Sequence, residues 1–157
     1  MNGVNEDFLE FVAALKRNDV EFVIVGAFAL SFLGFPRATG DIDFWIRPTE
    51  SNAEAVIRAL KDFGFESLGI TKEDILSGKV IQMGYPPVRI DLLTSLSGVT
   101  SEEIWNNRKE GPFGKHVVFY LDKDTFLKNK RAADRSKDKV DVELFEKPAK
   151  PKKGKKK

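Results

Sequence analysis

Asp41 and Asp43 stand two residues apart inside an otherwise apolar run, Gly40-Asp41-Ile42-Asp43-Phe44-Trp45-Ile46. Aspartate is depleted in strands, yet Ile42, Phe44 and Ile46 alternate as a half-buried strand demands. Successive strand side chains point to opposite faces. The three apolar residues therefore share one face, and Asp41, Asp43 and Trp45 share the other. Two carboxylates held at about 4 Å repel by roughly 4 kcal/mol at an effective dielectric near 20. A chain that tolerates this commonly uses the pair to hold a divalent cation through oxygen. The alternative is a strand end whose aspartates simply face solvent.

The flanking segments favour the first reading. Upstream, Phe22-Val23-Ile24-Val25 reads as a buried strand that turns at Gly26 into the apolar helix Ala27 to Leu33. A small residue at such a turn lets a phosphate approach the backbone, where unpaired N–H groups and a partial positive charge await it. Phe35-Pro36-Arg37-Ala38-Thr39-Gly40 is then a loop that delivers a cation, Arg37, and a hydroxyl, Thr39, just before the aspartates. Downstream, Val88-Arg89-Ile90-Asp91-Leu92-Leu93 is another apolar strand interrupted by one aspartate. Three aspartates on two strands beside a glycine turn are the ingredients of a two-metal phosphoryl-transfer site.

The same residues resemble the nucleotidyltransferase superfamily with the polymerase-beta-like fold. Its pattern is a strand ending in Gly-Gly or Gly-Ser, a short spacer, an Asp-x-Asp flanked by apolar residues, and a third acidic residue on a later strand. Here Gly26-Ala27 is followed by residues 28–40, then Asp41-Ile42-Asp43, with Asp91 in the third position. Leu33 to Asp43, and the segment Phe126 to Leu144, look like the small prokaryotic members related to AbiEii-type toxins. The likeness runs from about Val20 to Leu144. It implies that Asp41, Asp43 and Asp91 hold Mg²⁺ or Mn²⁺, that Gly26 and the Ala27 amide face an NTP's phosphates, and that Arg37 and Lys130 are cations near them. Two positions depart from the pattern. Ala27 replaces the usual Gly or Ser, leaving Ser31, one turn on, as the substitute hydroxyl, and Asp134 replaces the Gly before Arg135.

The elements that must position these residues form an α/β (α+β) pattern, a mixed sheet flanked by helices. Asn5 caps a helix over about Glu6 to Arg17, with Phe8, Phe11, Val12 and Leu15 on one stripe. Ser51 opens a second amphipathic helix closed by Gly64, and Thr71-Lys72-Glu73-Asp74 has the form of a capping box. Lys79 to Met83 and Val88 to Thr94 read as adjacent antiparallel strands. Ser101 to Asn107 reads as a short helix, Val117 to Leu121 as a strand, and Asp122 onward as the last helices. Asp138 and Asp141, three apart on the final helix, are either part of the site or a structural pair with Lys137 or Arg135.

Composition sets the outer bounds. A chain of 157 residues with thirteen Phe and two Trp fits one domain over residues 1–146, burying roughly 68–70% of its unfolded surface. No apolar run approaches the roughly 20 residues of a membrane span, and the acidic N-terminus lacks a signal peptide's basic start. With no cysteine, disulfides and thiolate metal sites are excluded, and a cytoplasmic location is expected. His116, the only histidine, reads as a packing residue on a strand. Net charge is +2, but residues 147–157 hold seven Lys and no acid, leaving 19 basic against 24 acidic side chains in residues 1–146. Such a Lys-rich flexible tail either contacts nucleic acid through counterion release or serves solubility.

The expected activity is transfer of an NMP from an NTP to an acceptor hydroxyl on RNA, protein or a small molecule. Alternatives are a catalytically inactive binding module of the same fold, such as a toxin–antitoxin component, a glycosyltransferase using Asp-x-Asp, and a nucleic-acid tether working through its tail. In the glycosyltransferase reading the Gly26 turn and Asp91 would have no role.

Overall fold

Alternation and capping carry most of the architecture. The computed structural model describes residues 5–36, 39–85, 88–133 and 136–146, so Arg37, Asp134 and the tail lie outside the described residues. In chain order the elements are α1 (Glu6–Arg17), β1 (Phe22–Val25), α2 (Gly26–Phe32), β2 (Asp41–Ile46), α3 (Glu50–Phe63), a 3₁₀ turn (Glu66–Leu68), α4 (Lys72–Leu76), β3 (Ile81–Tyr85), β4 (Val88–Leu93), α5 (Ser101–Asn106), β5 (Lys109–Phe113), β6 (His116–Tyr120), α6 (Lys123–Ala133) and α7 (Ser136–Glu146). The six strands form one mixed sheet in the order β3-β4-β2-β1-β6-β5. β2 runs antiparallel to β1 and parallel to β4; β1 runs parallel to β6. The mixed sheet flanked by helices expected from the sequence is the fold observed.

The two faces of β2 are covered as alternation requires. Phe44 packs against Phe11 of α1 and Phe22 of β1, with ring centroids 5.3 and 5.7 Å apart. Trp45, fully buried, meets Trp105 of α5 at 6.4 Å and donates its indole N–H to the Thr94 carbonyl at 3.2 Å. Arg108 lies over Trp105 at 3.7 Å and over Phe119 at 4.4 Å, which holds α5 against this face. Fully burying a Phe or Leu side chain contributes about 1.5–3 kcal/mol, so this core fixes the strands that carry the aspartates.

Local signals account for most helix ends. The Asn5 side chain accepts from the amides of Asp7 and Phe8, as its capping role requires. Thr71 and Asp74 form the reciprocal capping box. The second amphipathic helix opens one residue earlier than the Ser51 reading, at Glu50, because Thr49 accepts from the Asn52 amide. Asn52 is itself buried and bridges the Glu21 backbone and the Arg47 carbonyl, which tie β1 and β2 to α3.

β5 has no counterpart in the sequence pattern. Lys109-Glu110-Gly111-Pro112-Phe113 lacks alternation and contains Pro, which strands tolerate at a sheet edge, and β5 is an edge. Tyr120 secures it by donating its hydroxyl to the Pro112 carbonyl at 2.6 Å while its ring stacks on Phe32 at 4.2 Å. His116 sits in this hairpin opposite Phe113 and is half-buried. Burial, then Lys115 and Lys16, holds its imidazole below the usual histidine range. Among the described residues no helix is long and apolar enough to cross a membrane.

Candidate active site

Register brings the chemistry together. In the parallel β2/β4 pair Asp43 stands beside Asp91 and Asp41 beside Arg89. Cross-strand neighbours share a face, so four charged side chains gather on one side of two adjacent strands. β1 ends against Asp43, its Val25 partner, and the chain turns at Gly26 with φ +69° into α2. A Cβ at Gly26 would fall 2.2 Å from Asp43 Oδ2 and 3.0 Å from its Cγ. Glycine is therefore required twice over, for the left-handed backbone and for the space the Asp43 carboxylate occupies.

These residues open onto a cavity of about 610 Å³, well within the range of small-ligand sites. Gly26, Ala27, Thr39, Asp41, Asp43, Asp91 and Lys130 all line it. Thr39 accepts the Asp41 amide at 3.1 Å and so shapes the start of β2. Ser31, one turn into α2, is not among the residues that line the cavity. Lys130 reaches the site because α6 packs on the loop after β4. Asn129 donates to the Ser97 carbonyl at 3.0 Å, and a Cβ at Gly98 would meet the Ala132 methyl at 2.3 Å.

Lys130 is neither solvated nor alone. Its ammonium lies 3.2 Å from Asp138 Oδ1 and 3.9 Å from Asp141 Oδ2, and both carboxylates are buried. Asp141 also lines the cavity. The acidic pair of the last helix thus has a partner on α6, beyond the Lys137 and Arg135 considered from sequence.

Sequence reasoning passes over Arg89. Its Nε donates to Asp91 Oδ1 at 2.9 Å and its Nη2 to Asp91 Oδ2 at 3.1 Å, a bidentate pair. Nη2 also reaches Asp41 Oδ2 at 3.1 Å. The bonds to Asp91, foremost, raise the guanidinium further above its already high range. A cation two residues before Asp91 in an apolar strand must share its face, and that is the available signal.

An all-oxygen donor set of three carboxylates suits a hard divalent cation, and the cradle at Gly26 reserves room for the Asp43 oxygens. The donor types therefore fit Mg²⁺ or Mn²⁺. Among the described residues, however, no three acidic or imidazole groups stand together as a formed metal cluster, and Arg89 takes up oxygens of Asp41 and Asp91.

No family model matches the chain, and no curated protein sequence does. Among solved structures the fold is similar to the lincosamide antibiotic adenylyltransferase LnuA in its lincomycin-bound crystal form. The TM-score is 0.53 at 16% identity, covering 90% of this chain and 96% of that one. The chain has a nucleotidyltransferase-like fold.

Proposed function

We propose that this protein is a nucleotidyltransferase that moves an NMP from an NTP to an acceptor hydroxyl. The observation that carries the reading is the pairing of Asp43 with Asp91 across β2 and β4, at the mouth of a cavity notched by Gly26. The likeness to LnuA supports the same chemistry at the level of the fold.

In this reading Asp41, Asp43 and Asp91 hold Mg²⁺ or Mn²⁺, which supplies neutralisation of charge on the triphosphate when bound. Gly26 keeps a side chain out of the phosphate path, and the Ala27 amide faces the phosphates. Thr39 and Lys130 complete the polar wall, with Lys130 held in place by Asp138 and Asp141, and Arg37 is a further cation for the phosphates in this reading. The acceptor oxygen bonds to the α-phosphorus as the bond to the β-phosphate oxygen breaks. Pyrophosphate leaves, and Asp91 receives the hydroxyl proton before passing it to water.

For the acceptor, the lincosamide antibiotic of the structural neighbour points to a small molecule, and the Lys-rich tail points to RNA. A cytoplasmic toxin of the AbiEii kind with a protein or tRNA acceptor belongs to the same reading. Two observations favour an inactive binding module instead: Arg89 engages two of the three carboxylates, and Ala27 lacks the family hydroxyl. Incubation with each NTP, Mg²⁺ and separate pools of RNA, lysate protein and small molecules bearing hydroxyls, read by mass spectrometry, tests the proposal. An acceptor heavier by one NMP supports it. No adduct in any pool, with the NTP unconsumed, supports the binding module.

A further inference from the structure

We propose that Arg89 is a resident counter-cation that competes with divalent metal for Asp41 and Asp91, so that the metal-free site is held closed by an internal ion pair. The inference rests on the metal reading above and adds a device to it.

The geometry is specific. Asp91 is the most enclosed of the three aspartates, with its side chain 7% exposed. A carboxylate so placed is costly without compensation. Arg89 supplies it through two parallel bonds, and a third bond ties Asp41 into the same guanidinium. The planar fork matches this task in a way an ammonium could not. Arg89 itself is 26% exposed and lines the cavity, so its head has somewhere to go when released.

A hard cation seeks the same Asp41 and Asp91 oxygens. Asp91 Oδ1, Asp91 Oδ2 and Asp41 Oδ2 each already accept a bond from Arg89, so a metal taking the same atoms must weaken those bonds. The two cations therefore compete: metal entry loosens Arg89 from the aspartates, and metal loss lets its bonds re-form. The freed guanidinium then faces the part of the cavity where phosphates would lie, a group it binds well. The bidentate bonds are thus a threshold that weakens metal binding in the metal-free protein.

The test uses the full chain with Mn²⁺ alone, titrated calorimetrically and by the paramagnetic signal of free Mn²⁺. Wild type, Arg89→Gln and Arg89→Lys are compared, each checked for cooperative melting. Removing the competing charge should tighten Mn²⁺ binding about tenfold or more in Arg89→Gln. Arg89→Lys keeps the charge but loses the fork and should fall between the two; if Arg89→Gln does not fold, the comparison of Arg89→Lys with wild type decides. Binding by wild type that the variants leave equal or weaken overturns the inference and leaves the metal reading standing. Failure of all three proteins to bind Mn²⁺ overturns the metal reading and this inference with it.

Discussion

Replacing Gly26 with alanine separates backbone strain from damage to the site. At φ +69° a non-glycine residue costs about 1–2 kcal/mol. For a chain of this size that lowers the melting temperature by about 2–8 °C, at roughly 2–4 °C per kcal/mol. The added methyl also arrives 2.2 Å from Asp43 Oδ2, 3.0 Å from its Cγ and 3.3 Å from its Cβ. Ordinary contact begins at 3.4 Å, so the carboxylate must retreat by 1.2 Å, the difference between the two distances. Because the whole Asp43 side chain is crowded, rotation of its tip cannot relieve the contact. A misplacement of about 1 Å costs on the order of a hundredfold in rate. Gly64→Ala is the matched control: its φ is +102°, but nothing lies within 4 Å of the added methyl. Both variants should lose melting temperature, measured by circular dichroism, while only Gly26→Ala loses NMP transfer, by about a hundredfold. Transfer by Gly26→Ala within threefold of wild type, or an equal loss in Gly64→Ala, would refute the reasoning.

Lys130→Met should remove one cationic partner of the buried Asp138 and Asp141 carboxylates, costing up to about 3–5 kcal/mol and lowering the melting temperature by up to roughly 6–20 °C. A melting curve within 2 °C or so of wild type would remove Lys130 from its structural role. Burial pushes the Tyr120 phenol up to about 12, above its unfolded value near 10. The fold favours the neutral form, so this stability is whole below about pH 10 and is lost as pH rises toward about 12. Tyr120→Phe should flatten that alkaline decline in denaturant titrations at several pH values, although it also loses the bond to Pro112.

The aspartates are legible in the sequence because charge placed in a period-2 apolar run is costly unless a ligand or a cation uses it, and Trp45 opposite Phe44 bears out the division of faces. Their meeting is less legible. The parallel β2/β4 register depends on the crossover between Ile46 and Val88, and no local pattern states which strands become neighbours. Arg89 escapes notice because a lone arginine in a strand looks like an edge residue until its partner strand is known. β5 is invisible because Gly111 and Pro112 erase strand propensity, and pairing with β6 supplies what propensity does not. The acids at 138 and 141 stand out in the sequence, but their partner comes from α6, and only tertiary packing brings it there.

The central claim is that the Asp41–Asp43–Asp91 face transfers a nucleotidyl group. The most direct measurement uses one NTP labelled at the α-phosphorus and the same NTP labelled at the γ-phosphorus, with Mg²⁺ and the acceptor pools, on wild type and Asp43→Asn. The account predicts that α-label moves to the acceptor, γ-label appears only in pyrophosphate, and Asp43→Asn does neither while remaining folded. Transfer of γ-label to an acceptor, or α-label transfer undiminished in folded Asp43→Asn, would contradict it.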